Sequence, residues 1–449
     1  MAASRLNRRR FLTFGAAFLG APPALAGLGI DGFRGALDAT NLGVERDSGA
    51  DQRQVLQRAI DASARVGSPL FLPPGRYVTS ALELTTGAHI VGVPGATRLI
   101  PVRGGPLIRS KGAAIASLSH LTFEGMNLPM ASDAGLVETE NVARFVMSDC
   151  TITGATANGI KLSETGGWIE NSTVTRCGEA AIFSTDAEGL RLTGNLITDC
   201  ANNGILVWTS VKREDGTIVS ENRIERIGAS NGGSGEWGNG VNIYRAANVL
   251  VTNNRIKDCA YTAVRSNAGS FCQVVGNNCT RLGEVAIYAE FGYEGAVIAH
   301  NIIERAATGI SMTNFSTGGR LSVCNGNMVR GLFTRDHFDA RGVGIAAEAD
   351  TVISANVVED APTAGLVLGW GPHLRDVTAT GNIVRKARIG IGVSVADGAG
   401  PALISDNVIA NAEKGAILGM AWNDAVTGDL ATAPDERFPQ ITVSRNRVS

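Results

Sequence analysis

Residues 253–269 read NNRIKDCAYTAVRSNAG. Asn254 stands two positions before Ile256, the pair Ala263-Val264 follows, and Arg265 comes next. The spacing returns along the chain at Asn195, Asn222, Asn254, Asn278, Asn301, Asn327, Asn356, Asn382 and Asn407. Each precedes an apolar residue by two, except Asn278, where Thr280 takes that place. Successive intervals are 27, 32, 24, 23, 26, 29, 26 and 25 residues. After each asparagine comes a Gly or Ala followed by an aliphatic residue, as in Gly204-Ile205, Gly309-Ile310 and Ala416-Ile417. Weaker copies begin near Cys150 and Ser172.

Helical repeats need helix-length amphipathic stretches of 3.6 period, which these repeats do not supply. Short alternating apolar segments at this period predict an all-β solenoid, a single-stranded right-handed parallel β-helix with about 22–30 residues per coil. Stacked coils bury their aliphatic residues on one another, so no coil is stable alone. Asparagine tolerates the left-handed conformation of a turn, and stacked amides hydrogen-bond from coil to coil. Glycine before the next strand is expected to permit a sharp corner. These ladders read as structural.

Composition agrees. The 449 residues are 44% hydrophobic and 18% charged, with 56 glycines and few aromatics (5%). Seven cysteines lack C-x-x-C spacing, which argues against a disulfide framework or a zinc site. Cys177, Cys200 and Cys259 occupy a slot that Ala306, Ala361, Ala387 and Ala412 fill elsewhere, so packed thiols are expected.

Residues 1–26, MAASRLNRRRFLTFGAAFLGAPPALA, have a basic start, an apolar stretch and an A-x-A end, which reads as an export signal. Arg8-Arg9-Arg10-Phe11-Leu12 matches the twin-arginine pattern. The expectation is export by the twin-arginine machinery to the periplasm or beyond. Without Arg5, Arg8, Arg9 and Arg10 the formal charge moves from −2 to about −6, which argues against a nucleic-acid partner. No apolar run after the signal is long enough to span a membrane.

Residues 27–68 form an N-terminal segment with a helix that caps the open end of the solenoid, and residues 69–449 form the β-helix. The helix follows Asp51, at or near its N-cap, with Val55, Leu56, Ala59, Ile60 and Ala62 as its buried face. Gln57-Arg-Ala-Ile60-Asp61, then Pro73-Pro-Gly75-Arg-Tyr77, then asparagine-rich coils resemble the right-handed parallel β-helix, pectin-lyase-like superfamily. With the leader, the chain is similar to the family of twin-arginine-translocated repeat proteins. The resemblance implies the fold and leaves the chemistry open, because that superfamily holds lyases, hydrolases, epimerases and adhesins.

Strand alternation sorts the residues after each small–aliphatic pair. One outward column reads Lys161, Phe183, Leu206, Asn242, Arg265, Tyr288, Ser311, Ala346, Val367, Gly392, Leu418. The next reads Ser163, Thr185, Trp208, Tyr244, Asn267, Glu290, Thr313, Glu348, Gly369, Ser394, Met420. Aromatic, amide and charged groups concentrate between Trp208 and Glu348, as a sugar-binding face requires. Trp208, Asn242, Tyr244 and Asn267 are the candidate binding residues, joined by Trp237 and His337 from insertions 228–239 and 331–342. Both insertions lie in the same turn and are expected to project from one edge.

Glu290 and Glu348 share a column two coils apart, so their backbones lie roughly 9–10 Å apart at about 4.8 Å per coil. Inverting glycosidases hold their two carboxyls about 6.5–9.5 Å apart. A lyase would instead use Arg265 with Asn242 to neutralise a uronate carboxylate and Tyr288 as base. The Asn-Thr-Asp, Asp-Asp and Gly-His-Gly set of the polygalacturonases is absent, as is the epimerase histidine signature. No acidic ladder marks a calcium site, so no cofactor is expected and calcium dependence stays open. The reading is a polysaccharide lyase or glycoside hydrolase; the alternative is a non-catalytic polysaccharide-binding or structural envelope solenoid. Oligomeric state stays open.

Overall fold

The computed structural model describes residues 35–313, 319–335 and 341–449. Leu37 to Ser449 forms one compact unit. The expected leader and His337 lie outside the described residues.

From Leu37 onward the chain winds a single-stranded parallel β-helix of about thirteen turns. Each strand pairs in parallel with its counterpart one coil earlier and one coil later. Val264–Asn267, for example, lies between Asn239–Ala247 and Val285–Glu290. Inward aliphatic residues stack into one continuous core, with Ile205, Val241, Val264, Ile287, Ile310 and Ile345 almost wholly buried. Antiparallel pairing joins Val408–Ala421 to Asp424–Asp429, and an isolated antiparallel bridge joins Thr334 to Arg341.

The asparagine ladder is buried. The Asn301 side chain donates to the Val274 carbonyl at 2.9 Å and to Asn327 Oδ1 at 3.0 Å. Its own Oδ1 accepts from the Asn277 backbone and side chain. The same pattern runs from Asn195 to Asn446. Three expectations change. The ladder member expected at Asn278 is Asn277, and the apolar residue two positions on is then Cys279, fully buried. That removes the Thr280 exception. The left-handed residue is the one before each asparagine, such as Asn253 (φ 56°) and His300 (φ 57°), so the asparagines serve as hydrogen-bonding groups and not as bends. The glycines before the aliphatic residues are selected by space. A Cβ on Gly309 would sit 2.4 Å from the Gly344 carbonyl oxygen and 2.5 Å from Val329, and its φ is not left-handed.

The helix Arg53–Val66 packs on the first coils, burying Leu56, Ala59 and Ile60 with Ser63. Val55 and Ala62, expected on that face, are only partly buried, and Gln52 rather than Asp51 stands at the N-cap. Asp51 Oδ1 accepts from the backbone of Arg53 at 2.9 Å and of Ser80 at 3.0 Å, tying the first helical turn to the first coils. The Gln57 amide brackets the Glu83 backbone, and the Tyr77 hydroxyl donates to Pro73 at 2.8 Å. At the other end, the hairpin after Ala421 returns Leu430 into the core, and Asp429 accepts from the backbones of Ala416 and Ile417. A partial coil, Ile441–Ser444 and Arg447–Val448, follows.

Candidate functional site

Both outward columns have the expected register. Asn242, Arg265, Tyr288, Ser311, Ala346, Val367 and Gly392 are neighbours in turn, as are Trp208, Tyr244, Asn267, Glu290 and Thr313. The structure differs in how these columns are covered. Loop 228–238 does not project; it folds back over the strand face. Ser234 Oγ donates to Glu284 Oε2 at 2.6 Å, and the Asn242 amide donates to the Gly235 carbonyl at 3.1 Å.

Beneath that loop Arg265 is 6% exposed and does not face solvent. Its guanidinium makes a fork with Glu290, Nε to Oε1 at 2.6 Å and Nη2 to Oε2 at 2.8 Å, and Nη1 reaches Glu284 at 3.3 Å. It lies 4.8 Å from the Tyr288 ring centre, and Asn267 adds a bond to Glu290 at 3.0 Å. Burial works against the arginine charge, but the hydrogen bonds and charge of Glu290, with the charge of Glu284, hold its pKa above the ordinary value. Arg265 and Glu290, expected at the centre of an open groove, are instead partners in a buried ionic cluster. Its third member, Glu284, was missed because it lies in the turn before the strand.

Trp208 packs edge-on between Phe183, at 5.1 Å, and Tyr244, at 5.6 Å, and Arg245 lies over the Tyr244 ring at 4.7 Å. These rings spend much of their surface on each other. Trp237 is half-buried in its loop, bridged to Ser234.

Beyond this cluster the face opens. Two adjoining shallow depressions share Arg341, Val343, Val367 and Trp370. The first is also lined by Tyr288, Thr313 and Glu348, the second by Arg388, Met420 and Trp422. The Arg341 guanidinium stands 4.3 Å from the centre of Trp370, and Trp370 meets Trp422 edge-on at 5.5 Å. Trp422 keeps half of its surface exposed. The floor is made of the small column residues Ala346, Val367 and Gly392. Arg341, Trp370, Arg388 and Trp422 escaped the sequence reading because they stand in or beside turns, outside the columns. The run of small residues after Glu348 was the available signal: a low floor between tall walls is a cleft.

Among the described residues no group of three or more His, Cys, Asp or Glu side chains is placed to hold a metal ion. All seven cysteines are buried thiols.

The family described as right handed beta helix region matches residues 103–224 and 211–374, more than half of the chain. The chain belongs to the right-handed β-helix family. The solved structures to which this chain is similar are distant. The pre-mature gene product 12 of bacteriophage phi29 is 15% identical with a TM-score of 0.56, over 87% of this β-helix chain and 58% of that one. The A-module of Azotobacter vinelandii mannuronan C-5 epimerase AlgE6 is 15% identical with a TM-score of 0.47, over 92% and 99%. ORF18 of Geobacillus virus E2 is 14% identical with a TM-score of 0.49, over 64% and 59%. This chain therefore spans less than two thirds of the two viral proteins. These likenesses concern the fold. A search of curated proteins gives no match.

Proposed function

We propose that this protein is an exported, carbohydrate-active β-helix that takes an acidic polysaccharide in the cleft between Tyr288 and Trp422. The observation that carries this reading is the wall Arg341–Trp370–Trp422 standing beside a floor of small residues, with Glu348 and Tyr288 at one end. Indole faces stack on pyranose rings, and Arg341 and Arg388 supply positive charge for uronate carboxylates. The leader at residues 1–26 and membership of the twin-arginine-translocated repeat family belong to this proposal, as does a periplasmic or secreted location.

The chemistry that fits these parts is β-elimination. An arginine neutralises the uronate carboxylate, Tyr288 or Glu348 takes the proton from the adjacent carbon, and the glycosidic C–O bond breaks with protonation of the leaving oxygen. Hydrolysis by Glu290 with Glu348 is less well supported, since both Glu290 carboxylate oxygens are held in the fork of Arg265, whereas Tyr288 and Glu348, though also buried, line the cleft. That same lock favours a second reading, a binding solenoid without turnover.

The test is product release from a panel of acidic and neutral polysaccharides, comparing the native protein with Glu348→Gln. Ultraviolet absorbance of unsaturated uronates, lost in the variant, supports the lyase; new reducing ends without absorbance support a hydrolase. Binding without either product supports the second reading, and neither binding nor product overturns the proposal.

A further inference from the structure

A different face carries a second feature. The residue after each ladder asparagine points outward, and in five successive coils it is apolar: Ile302, Met328, Val357, Ile383 and Val408, each 37–48% exposed. The column is polar at both ends, with Asn278 before it and Arg447 after it. Across the asparagine corner, Val297, Val323 and Val352 form a matching row that resumes at Leu403 after Thr378, the four apolar residues each 36–42% exposed. Isolated apolar residues on a surface need no explanation, but a continuous stripe does.

Two positions further along the same short strands runs a charged column of alternating sign: Glu304, Arg330, Glu359, Arg385, in which Arg330 also pairs with Glu304 and Glu359 with Lys386 along the surface of its own chain. A two-fold axis lying in the face and crossing the solenoid between the coils of Arg330 and Glu359 inverts the order of the coils. It leaves each column at its own lateral position. Four of the five stripe residues then meet apolar side chains, Met328 against Val357 and Ile302 against Ile383 of the second copy, while Val408 meets Asn278. In the neighbouring column, Arg330 meets Glu359 and Glu304 meets Arg385, in both directions. An axis along the solenoid would keep coil heights and exchange the lateral positions, setting the apolar column against the charges. We infer that this face is a self-association surface on which a second copy of the chain docks antiparallel, side by side.

At roughly 60 Å² apiece, nine side chains exposed to this degree offer about 500 Å², against about 800 Å² per partner in a standard stable interface. The association is therefore weak and reversible. It is independent of the cleft, whose residues lie on the other strand set.

Sedimentation velocity of the full chain from about 1 μM to about 1 mM tests this directly. A monomer–dimer equilibrium is expected, and Val357→Lys, at an exposed position, should weaken it at least tenfold. Glu359→Arg should weaken it likewise by setting Arg330 against a second arginine, and adding Arg330→Glu should restore it. A chain that stays monomeric throughout, or a dimer indifferent to Val357→Lys, overturns the surface. Dissociation by Glu359→Arg without rescue by the double variant overturns the antiparallel register.

Discussion

Arg265 and Glu290 face each other across adjacent coils in a two-bond fork, with nitrogen–oxygen distances of 2.6 and 2.8 Å, and both side chains are nearly inaccessible. An arginine in that fork is a fastener. Removing one partner of a buried pair leaves an uncompensated charge, at about 3–5 kcal/mol. Glu290→Gln is therefore expected to lower stability by about 3 kcal/mol, read as a shift of the denaturant midpoint. Glu413→Gln, at an exposed position, should move that midpoint little. If the two variants behave alike, the cluster does not have the structural role argued for it.

The asparagine ladder gives a graded prediction. Asn301→Ala takes the side-chain partner from the buried Val274 carbonyl and the Asn277 backbone N–H, and removes one bond each from Asn327 Oδ1 and the Asn277 amide, which keep others. Each buried group left unpaired costs about 1–3 kcal/mol, so a total of about 3 kcal/mol or more is expected. Asn446 caps the ladder where the side chain is only partly buried, and Asn446→Ala should cost about 1 kcal/mol. Urea titration of both variants checks the gradient.

How far this was legible follows from geometry. The outward columns were readable because strand side chains alternate with a period of two, and nothing in the coil breaks that count between Val264 and Asn267. Asn277 was misassigned to Asn278 because two adjacent asparagines look alike until hydrogen bonds decide between them. The path of loop 228–238 was not readable, since bonds such as Ser234 to Glu284 span fifty positions with no local signal. Trp370 and Trp422 were hidden for the same reason: turn residues have no column to be counted in.

Acid should loosen the fold through the corner ion pairs. The hydrogen bond from Arg226 holds the Asp199 carboxyl down at about 2, and Arg281, Arg375 and Arg445 lower Asp258, Asp350 and Asp406 in the same way. A carboxylate depressed in the folded state stabilises fully above its unfolded value near 3.8, and that contribution is lost as the pH falls towards about 2. Each exposed pair contributes little, so the effect is a sum over coils. The denaturation midpoint is expected to be flat from neutral pH to about pH 4 and to fall below it, less steeply in high salt.

The thiols should be silent in the native state. Burial pushes Cys150, Cys279 and Cys324 up to about 12, and all three are enclosed by the core. Thiolate is the reactive form, so a thiol-reactive dye at pH 8 should label none of them until denaturant is added. Rapid labelling of even one cysteine without denaturant would mean that a coil opens on the time scale of the reaction.

The cleft separates two tryptophans that the sequence alone would treat alike. Trp422 keeps half of its surface exposed, whereas Trp208 is packed edge-on between Phe183 and Tyr244. A stacked sugar ring is worth about 1–1.5 kcal/mol on an open indole, so Trp422→Ala should weaken binding of an acidic oligosaccharide roughly tenfold and alter stability little. Trp208→Ala removes packing, so it should cost about 2 kcal/mol of stability and leave affinity within about twofold. Isothermal titration beside thermal melting distinguishes the pair. The reverse pattern, with affinity lost at Trp208 and kept at Trp422, would move the binding face back to the coils between Trp208 and Glu290.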